Sequence, residues 1–257
     1  MTVELHSMDA QRTYHKDHTR TREQPLEPRR YASLLREGQW FKSIATELQD
    51  ALLTISSVRQ LLAGETLFRR GDPSDGLYCA VAGAIRIKSS NRAGKEAILA
   101  QIESPYWFGE IGLFDRLPRS HDAVAETDSH LIFVPMPALE ALLQKQPLYW
   151  RDFGRLMSQK IRASFACIES MSLLPPKARL ARRLLQMSKG YGERIHCRSH
   201  TLKIPQEQLA MMMGTSRQTL NHMLQDLSAR NIIKVTYREL EILNFDALEH
   251  IAEIVRG

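Results

Sequence analysis

The chain has 257 residues, 43% of them hydrophobic and 25% charged, with a formal net charge of +6. That composition fits a globular protein of two modest domains, and no apolar run approaches the roughly 18–20 residues of a membrane helix, so no such helix is expected. Its three cysteines, Cys79, Cys167 and Cys197, are scattered and form no CxxC pair, which argues against a disulfide framework, a zinc site or an iron–sulfur cluster.

Residues 1–30 alternate basic and acidic groups with little periodicity and are expected to form a flexible tail. The two histidines of the run His15–Arg22 read as solvated tail rather than metal ligands. No apolar core follows the N-terminal charges, so no signal peptide is expected and the cytoplasm is the expected location. Residues Tyr31–Leu53 have helical spacing, with Leu34, Leu35, Trp40, Phe41, Ile44 and Leu48 as the apolar points.

From Val58 to Phe133 the pattern changes to short apolar runs: Thr66–Arg69, Gly76–Val81, Ala84–Lys88, Ala97–Ile102, Ala123–Glu126 and His130–Val134, punctuated by Gly64, Gly71, Gly76, Gly83 and Gly94. Many short strands with regular turns predict an antiparallel sandwich or roll. Helical period returns over Pro137–Ser172. Ala138–Leu143 forms a short helix and Pro147 opens a long one. Along it Phe153, Met157, Ile161, Ser164, Ile168 and Met171 make an a/d-like seam of the kind that packs on its own copy in a homodimer. Leu156 and Phe165 are left to face the helix's own domain. Pro175-Pro176 ends the helix and marks the domain boundary. The next helix spans Lys177–Met187, with Leu180, Leu184 and Leu185 apolar.

The stretch Ile204–Val235 has the pattern of a helix-turn-helix. Leu209 and Met213 face inward from its first helix. Gly214 supplies the left-handed turn, and Ser216 is an N-cap for the second helix. In that helix Leu220, Met223, Leu224 and Leu227 fall at i, i+3, i+4 and i+7, one apolar stripe. Arg217, Gln218, Asn221, His222 and Gln225 fill the opposite face, and such side chains reach base edges in a major groove. Ile232–Thr236, a turn at Tyr237–Glu239 and Leu240–Leu243 follow as a hairpin in the position of a wing. Residues 177–257 carry 13 Lys and Arg against 8 Asp and Glu, a net +5, so the excess positive charge lies in the segment expected to meet the phosphate backbone of double-stranded DNA.

One further segment carries chemistry: Phe108–Ala125, FGEIGLFDRLPRSHDAVA. With the Gly64-Glu65 pair, the Gly71-Asp72 turn, Asp75–Tyr78 and Gly83 before it, and the long helix and helix-turn-helix after it, the chain resembles the Crp–Fnr family of bacterial transcription regulators over roughly Leu48 to Leu248. The resemblance implies an α+β protein: an N-terminal, jelly-roll-like antiparallel β-roll of the cyclic-nucleotide-binding type, a long dimerisation helix and a C-terminal winged helix-turn-helix domain. The expected division is a tail at 1–30, the roll with its N-terminal helix at 31–146, the dimerisation helix and hinge at 147–174, and the DNA-binding domain at 175–257.

In family members that bind cyclic AMP, backbone N–H groups and a hydroxyl hold the phosphate, an arginine pairs with it and a carboxylate accepts the ribose hydroxyl. By motif match these roles fall on Gly109, Glu110, Ile111, Gly112 and Ser120, on Arg119, and on Glu110. Ser164 takes the place of the dimer-helix hydroxyl at the base. Three differences stand out: the segment Asp115–Pro118 is one residue shorter than in the cyclic-AMP-binding pattern, His121 replaces a small residue, and Tyr106 replaces a glycine. For DNA, Arg217 matches the guanine-reading arginine. Gln218 takes a position often held by Glu, and His222 one often held by Arg. Thr215, Ser216, Thr219, Lys234 and Arg238 are placed for phosphate contacts. The implied partners are an inverted-repeat operator with half-sites about one helical turn apart, a second copy of the chain, and RNA polymerase.

No nucleophile–base pair, P-loop or dinucleotide fingerprint is present, so no enzymatic activity is expected. Two readings stay open: a regulator whose roll binds cyclic AMP or another cyclic nucleotide, and the same DNA-binding regulator with a ligand-free roll, controlled by abundance or by a protein partner.

Overall fold

The computed structural model describes residues 26–91, 96–190, 199–236 and 239–253. The expected tail over 1–25, Gly94, Cys197, and Tyr237 and Arg238 of the wing turn lie outside the described residues.

The chain opens not on one helix but on short pieces. A 3-10 turn at Pro28–Tyr31 is followed by α1 (Ala32–Leu35), α2 (Gln39–Ser43) and α3 (Thr46–Ile55). This corrects two expectations. Residues 28–30, expected in the tail, belong to the 3-10 turn that Pro28 starts. The single helix over Tyr31–Leu53 is broken by extended backbone at Gly38, at Ile44 and at Ala45. The breaks let Leu35, Trp40, Phe41, Ile44 and Leu48 all reach the core, which no one face of a straight helix could do.

Eight strands form the roll: β1 (Ser57–Leu61), β2 (Thr66–Phe68), β3 (Gly76–Ala82), β4 (Ala84–Ser90), β5 (Glu96–Glu103), β6 (Tyr106–Phe108), β7 (Asp122–Ala125) and β8 (Ser129–Pro135). They pair into two antiparallel sheets, ordered β1-β8-β3-β6 and β2-β7-β4-β5. The first sheet is covered on both sides, so its central strand β3 is a nearly continuous apolar run. Alternation sends Tyr78 and Ala80 between the sheets with Phe108, Leu131 and Phe133. Leu77, Cys79 and Val81 turn to the helices, with Trp107, Ile132 and Val134.

A short helix, α4 (Ile111–Asp115), joins β6 to β7, and α5 (Met136–Lys145) follows the roll. After a 3-10 turn at Pro147–Tyr149 comes the long helix α6 (Trp150–Leu173). Phe153 and Leu156 of α6 are fully buried, Phe153 lying 5.4 Å from Trp40, and Trp40 Nε1 donates to the Asp152 carbonyl at 2.7 Å. Phe153 therefore belongs to the roll core rather than to the expected seam. Phe165, expected to face its own domain, is 67% exposed. Of the expected seam Ile161, Ser164, Ile168 and Met171 are exposed, and Phe165 joins them to make an exposed apolar stripe of Ile161, Phe165, Ile168 and Met171.

The second domain is α7 (Pro176–Ser188), β9 (Thr201–Leu202), α8 (Gln206–Met213), α9 (Arg217–Ala229), β10 (Ile233–Thr236), β11 (Glu239–Ile242) and α10 (Phe245–Glu253). Its three-stranded sheet has the order β10-β11-β9. Leu180, Leu184, Leu209, Leu220, Leu224, Leu227 and Ile242 build one core, and Ile98 of the roll strand β5 is buried in that same core. A register shift between β4 and β5 pairs Ile87 with Ala100 but Lys88 with Ile98, leaving Leu99 as the extra residue of a bulge. Gln101 Nε2 donates to the Lys203 carbonyl at 3.3 Å, and Gln208 Nε2 donates to Glu126 Oε1 at 2.6 Å. No helix among the described residues is long and apolar enough to cross a membrane.

Candidate nucleic-acid interface and effector pocket

The turn between α8 and α9 follows from two residues. Gly214 ends α8 in the left-handed conformation, φ 60°, which a residue with a Cβ resists. Ser216 has extended backbone and its Oγ accepts the Thr219 amide at 3.1 Å, the N-cap the sequence predicts. The Thr219 hydroxyl lies 2.8 Å from the same Oγ. Leu220, Met223, Leu224 and Leu227 are buried beneath α9. Of the inward pair on α8, Leu209 is buried, but Met213 is only half-buried and Met212 takes the inner place.

On the outer face Arg217, Gln218, Thr219, His222 and Gln225 are exposed, while Asn221 and Thr215 are half-buried. Ser216 and Lys234 are exposed, and Arg238 lies outside the described residues. One helix thus presents an arginine at its first residue and amide and imidazole groups along a ridge, the inventory that reads base edges. Lys177 Nζ bridges to Asp226 Oδ2 at 2.9 Å, so α7 holds the back of α9. That bond, reinforced by the lysine's charge, keeps the Asp226 carboxyl below its ordinary value.

The second site is a pocket of about 190 Å³ on the roll, open to solvent. The polar groups in its wall are those the sequence selects, and their states are informative. Glu110 is 5% exposed, and among the described residues its carboxylate makes no hydrogen bond or ion pair. Arg119 is 6% exposed. Its Nη2 donates to Asp75 Oδ1 at 2.6 Å and to the Gly76 carbonyl at 2.7 Å. Nη1 donates to the Gly109 carbonyl at 3.3 Å, and the guanidinium lies 4.3 Å over the Phe68 ring. Its Nε is buried without a partner, as is the Ser74 hydroxyl, and both residues line the pocket.

Gly109 and Gly112 keep the wall thin. Gly109 has φ +92°, and a Cβ there would stand 2.7 Å from Arg119 Nη1; one on Gly112 would stand 2.0 Å from Ser74 Oγ. The helical turn of this wall begins at Ile111 and has only five residues.

Asp75 joins a larger charge cluster. Tyr78 Oη donates to Asp75 Oδ2 at 2.6 Å, and Arg59 Nη1 reaches the Tyr78 oxygen at 2.9 Å and Asp75 Oδ2 at 3.4 Å. Partial burial opposes ionisation of Asp75, but the Tyr78 hydroxyl and the two arginines outweigh it, and the carboxyl lies below its ordinary value. Burial, with the adjacent carboxylate, pushes the Tyr78 phenol up.

Ser120 is exposed and pairs with His121 Nδ1 at 2.9 Å. Burial, then the charge of Arg70, lowers His121 against a smaller opposing pull from Asp122. Ser164 is exposed on α6, bonds the Lys160 carbonyl at 3.0 Å, and does not line the pocket of its own chain. The α6 residue that does is Lys160, whose Nζ donates to the Trp107 carbonyl at 2.7 Å and lies 3.2 Å over the Tyr106 ring. Sequence reasoning missed it. The available signal was a lysine one turn before Ser164, opposite the tyrosine that departs from the family pattern. Among the described residues no cluster of His, Cys, Asp or Glu is arranged to hold a metal ion.

Comparison with known proteins bears on both sites. A family model described as a cyclic nucleotide-binding domain matches residues 58–146, and one described as a Crp-like helix-turn-helix domain matches residues 178–251. A protein named cyclic AMP receptor protein, from Thermus thermophilus, is 28% identical over 213 residues, 82% of this chain and 95% of the relative. A CRP-like cAMP-activated global transcriptional regulator of Mycobacterium tuberculosis is 26% identical over 186 residues, 72% of this chain and 83% of the relative. The solved structure of a CRP/FNR-family transcriptional regulator, also from Thermus thermophilus, superposes with a TM-score of 0.63 at 25% identity, covering 78% of this chain and 100% of that one.

Proposed function

The chain belongs to the Crp–Fnr family of transcription regulators, and from that premise we propose that it acts in the cytoplasm as a homodimer on an inverted-repeat operator, under control of a cyclic nucleotide bound in the roll. In this reading the chain divides at Pro175, and Arg217, Gln218, Asn221 and His222 read bases. Thr215, Ser216, Thr219, Lys234 and Arg238 hold phosphates. The exposed stripe of α6 pairs two copies, so that two recognition helices enter successive major grooves. RNA polymerase is the further partner, and the chain performs no catalysis of its own.

One observation supports the effector most: three polar groups, the Glu110 carboxylate, Arg119 Nε and Ser74 Oγ, stand without partners in the wall of one pocket. Buried polar groups are ordinarily satisfied, and a cyclic nucleotide supplies what these lack. Its phosphodiester accepts from the guanidinium and the serine, and its ribose hydroxyl donates to the carboxylate. Ile87, Ala100, Ile102 and Tyr106 offer an apolar wall to the base. Cyclic AMP is the first candidate, since the Thermus and Mycobacterium relatives are named for it. The ligand-free alternative also has an observation in its favour: the Arg119 charge is already matched by Asp75.

Selection of bound duplexes from a random pool, with and without cyclic AMP or cyclic GMP, tests the DNA reading, and calorimetric titration with each nucleotide tests the effector. An inverted repeat and saturation at one nucleotide per subunit are expected. An inverted repeat without heat from either nucleotide leaves the ligand-free regulator. Failure to enrich any sequence removes the operator reading.

A further inference from the structure

A second cleft lies where α6 meets α7 and α8, lined among others by Cys167, Ser170, Arg179, Arg183 and Met212. Its polar groups are poorly satisfied. Ser170 is 7% exposed and its hydroxyl makes no hydrogen bond among the described residues, whereas Ser158, Ser164 and Ser172 of the same helix each bond the carbonyl four residues back. Arg179 makes no ion pair or side-chain hydrogen bond among the described residues, and its Nε is fully buried. Arg183 has one side-chain partner among them, the Cys167 sulfur, 3.8 Å from Nη2. Two guanidinium groups one helical turn apart, a buried hydroxyl and a half-buried thiol thus meet around a small space with no carboxylate in its lining to balance them. Partly buried cations without a counter-charge are costly, so the cleft is arranged for an anion.

We propose that Cys167 is an oxidation site, and that the cleft is built to hold its sulfenate. The oxidant is a hydroperoxide. The Cys167 sulfur attacks one peroxide oxygen, an S–O bond forms and the O–O bond breaks. The departing oxygen takes the thiol proton, leaving as water when the oxidant is hydrogen peroxide, and the sulfenic acid so formed releases the hydrogen of its new oxygen to solvent as the sulfenate. The sulfur loses two electrons and the peroxide gains them. The new oxygen accepts from Arg183 Nη2, Arg179 Nε and Ser170 Oγ. A single added oxygen fits the space of about 30 Å³ between these groups. A thiol beside arginine and open to solvent is the setting in which cysteines react. Because both arginines belong to α7 and the sulfur to α6, oxidation ties the helix that carries the DNA-binding domain to the long helix of the roll. This inference stands on the cleft alone and does not depend on the roll binding a nucleotide.

The test uses the full chain carrying Cys197→Ser; Cys79 stays, being fully buried in the roll. Hydrogen peroxide is added in the presence of dimedone, and the labelled peptide is identified by mass spectrometry. Label is expected on Cys167, about tenfold slower in Arg183→Ala, which removes one charge-assisted hydrogen bond, with part of the rate restored in Arg183→Lys. Peroxide should also slow amide exchange over residues 174–183 in the parent and leave Cys167→Ser unchanged. Label absent from Cys167, or equally fast in Arg183→Ala, overturns the proposal. So does inorganic phosphate slowing amide exchange equally in Cys167→Ser, which would assign the cleft to a free anion.

Discussion

Ile98 and Ala100 stand two residues apart on one strand and face different domains. Ala100 lines the pocket of the roll, and Ile98 is buried among the side chains of the C-terminal domain's core. Regular alternation would put them on one face. The bulge at Leu99 turns Ile98 around, and the bulged strand becomes a mechanical link between the pocket and α8.

Removing that link should separate the domains. Ile98→Ala is expected to cost about 2–5 kcal/mol, the range for truncating a buried aliphatic side chain. The loss should fall on the winged-helix domain, which then unfolds ahead of the roll. Calorimetry should show two transitions where the parent shows one, and an unchanged single transition would remove the link from the account.

Much of this architecture was legible in the sequence. Ser216 capping α9, Gly214 in the left-handed turn and the stripe from Leu220 to Leu227 obey local rules of periodicity and capping, and the structure places them accordingly. What could not be read depends on register and tertiary contact. The bulge at Leu99 leaves no mark in composition. Phe153 and Phe165 are equally apolar, and only the arrival of Trp40 and the roll decides which is covered. Arg119 was identifiable by motif, but Asp75 at 2.6 Å lies 44 residues away. Lys160 enters the pocket from a helix whose seam pattern drew attention to Ser164 instead.

The Asp75 cluster gives a pH prediction. Its carboxyl lies below its ordinary value in the folded chain, so the unfolded chain binds that proton more readily. The stabilisation is therefore full above the unfolded value, near pH ~4, and fades as pH falls through the lower folded value. Asp75→Asn loses this contribution at every pH. Its stability should decline less steeply between about pH 7 and pH 3 than that of the parent, as followed by denaturant midpoints. Parallel curves would mean that Asp75 is not the responsible group.

Gly109→Ala should act on the pocket alone. The substitution forces a Cβ onto a left-handed backbone and against the Arg119 guanidinium, a cost of about 1–3 kcal/mol. It displaces the arginine that lies in the pocket wall. The roll should melt earlier, nucleotide heat should vanish, and operator binding without nucleotide should stay as in the parent.

Arg217→Ala should leave the fold intact, because the side chain is exposed and points away from the core. Operator affinity should fall by about 1–3 kcal/mol for each base pair no longer read. Affinity for random duplex should change less, since that binding rests on phosphates. Gel-shift titrations at fixed salt on both duplexes decide it. An equal drop on the two would reassign Arg217 to the backbone.

The free stripe of α6 carries the last prediction. Ile161, Phe165, Ile168 and Met171 are 47%, 67%, 59% and 64% exposed, at helical spacing along the C-terminal half of a helix whose N-terminal turns bury Phe153 and Leu156 in the roll. An apolar row of this kind on a long helix has the pattern of a coiled-coil seam, and a second copy is the occupant proposed for it. Phe165→Asp with Ile168→Asp places two charges on each helix in that seam, four across the pair, where they repel and lose hydration together. The roll should be spared, to within about 0.5 kcal/mol, because neither side chain touches its core. Sedimentation should report a monomer at concentrations where the parent is a dimer. Operator affinity should fall by about 10²–10⁴, since the second half-site is no longer presented at high effective concentration. A variant that still sediments as a dimer would place the subunit contact on another surface, and the inverted repeat would then need a different geometry to be read.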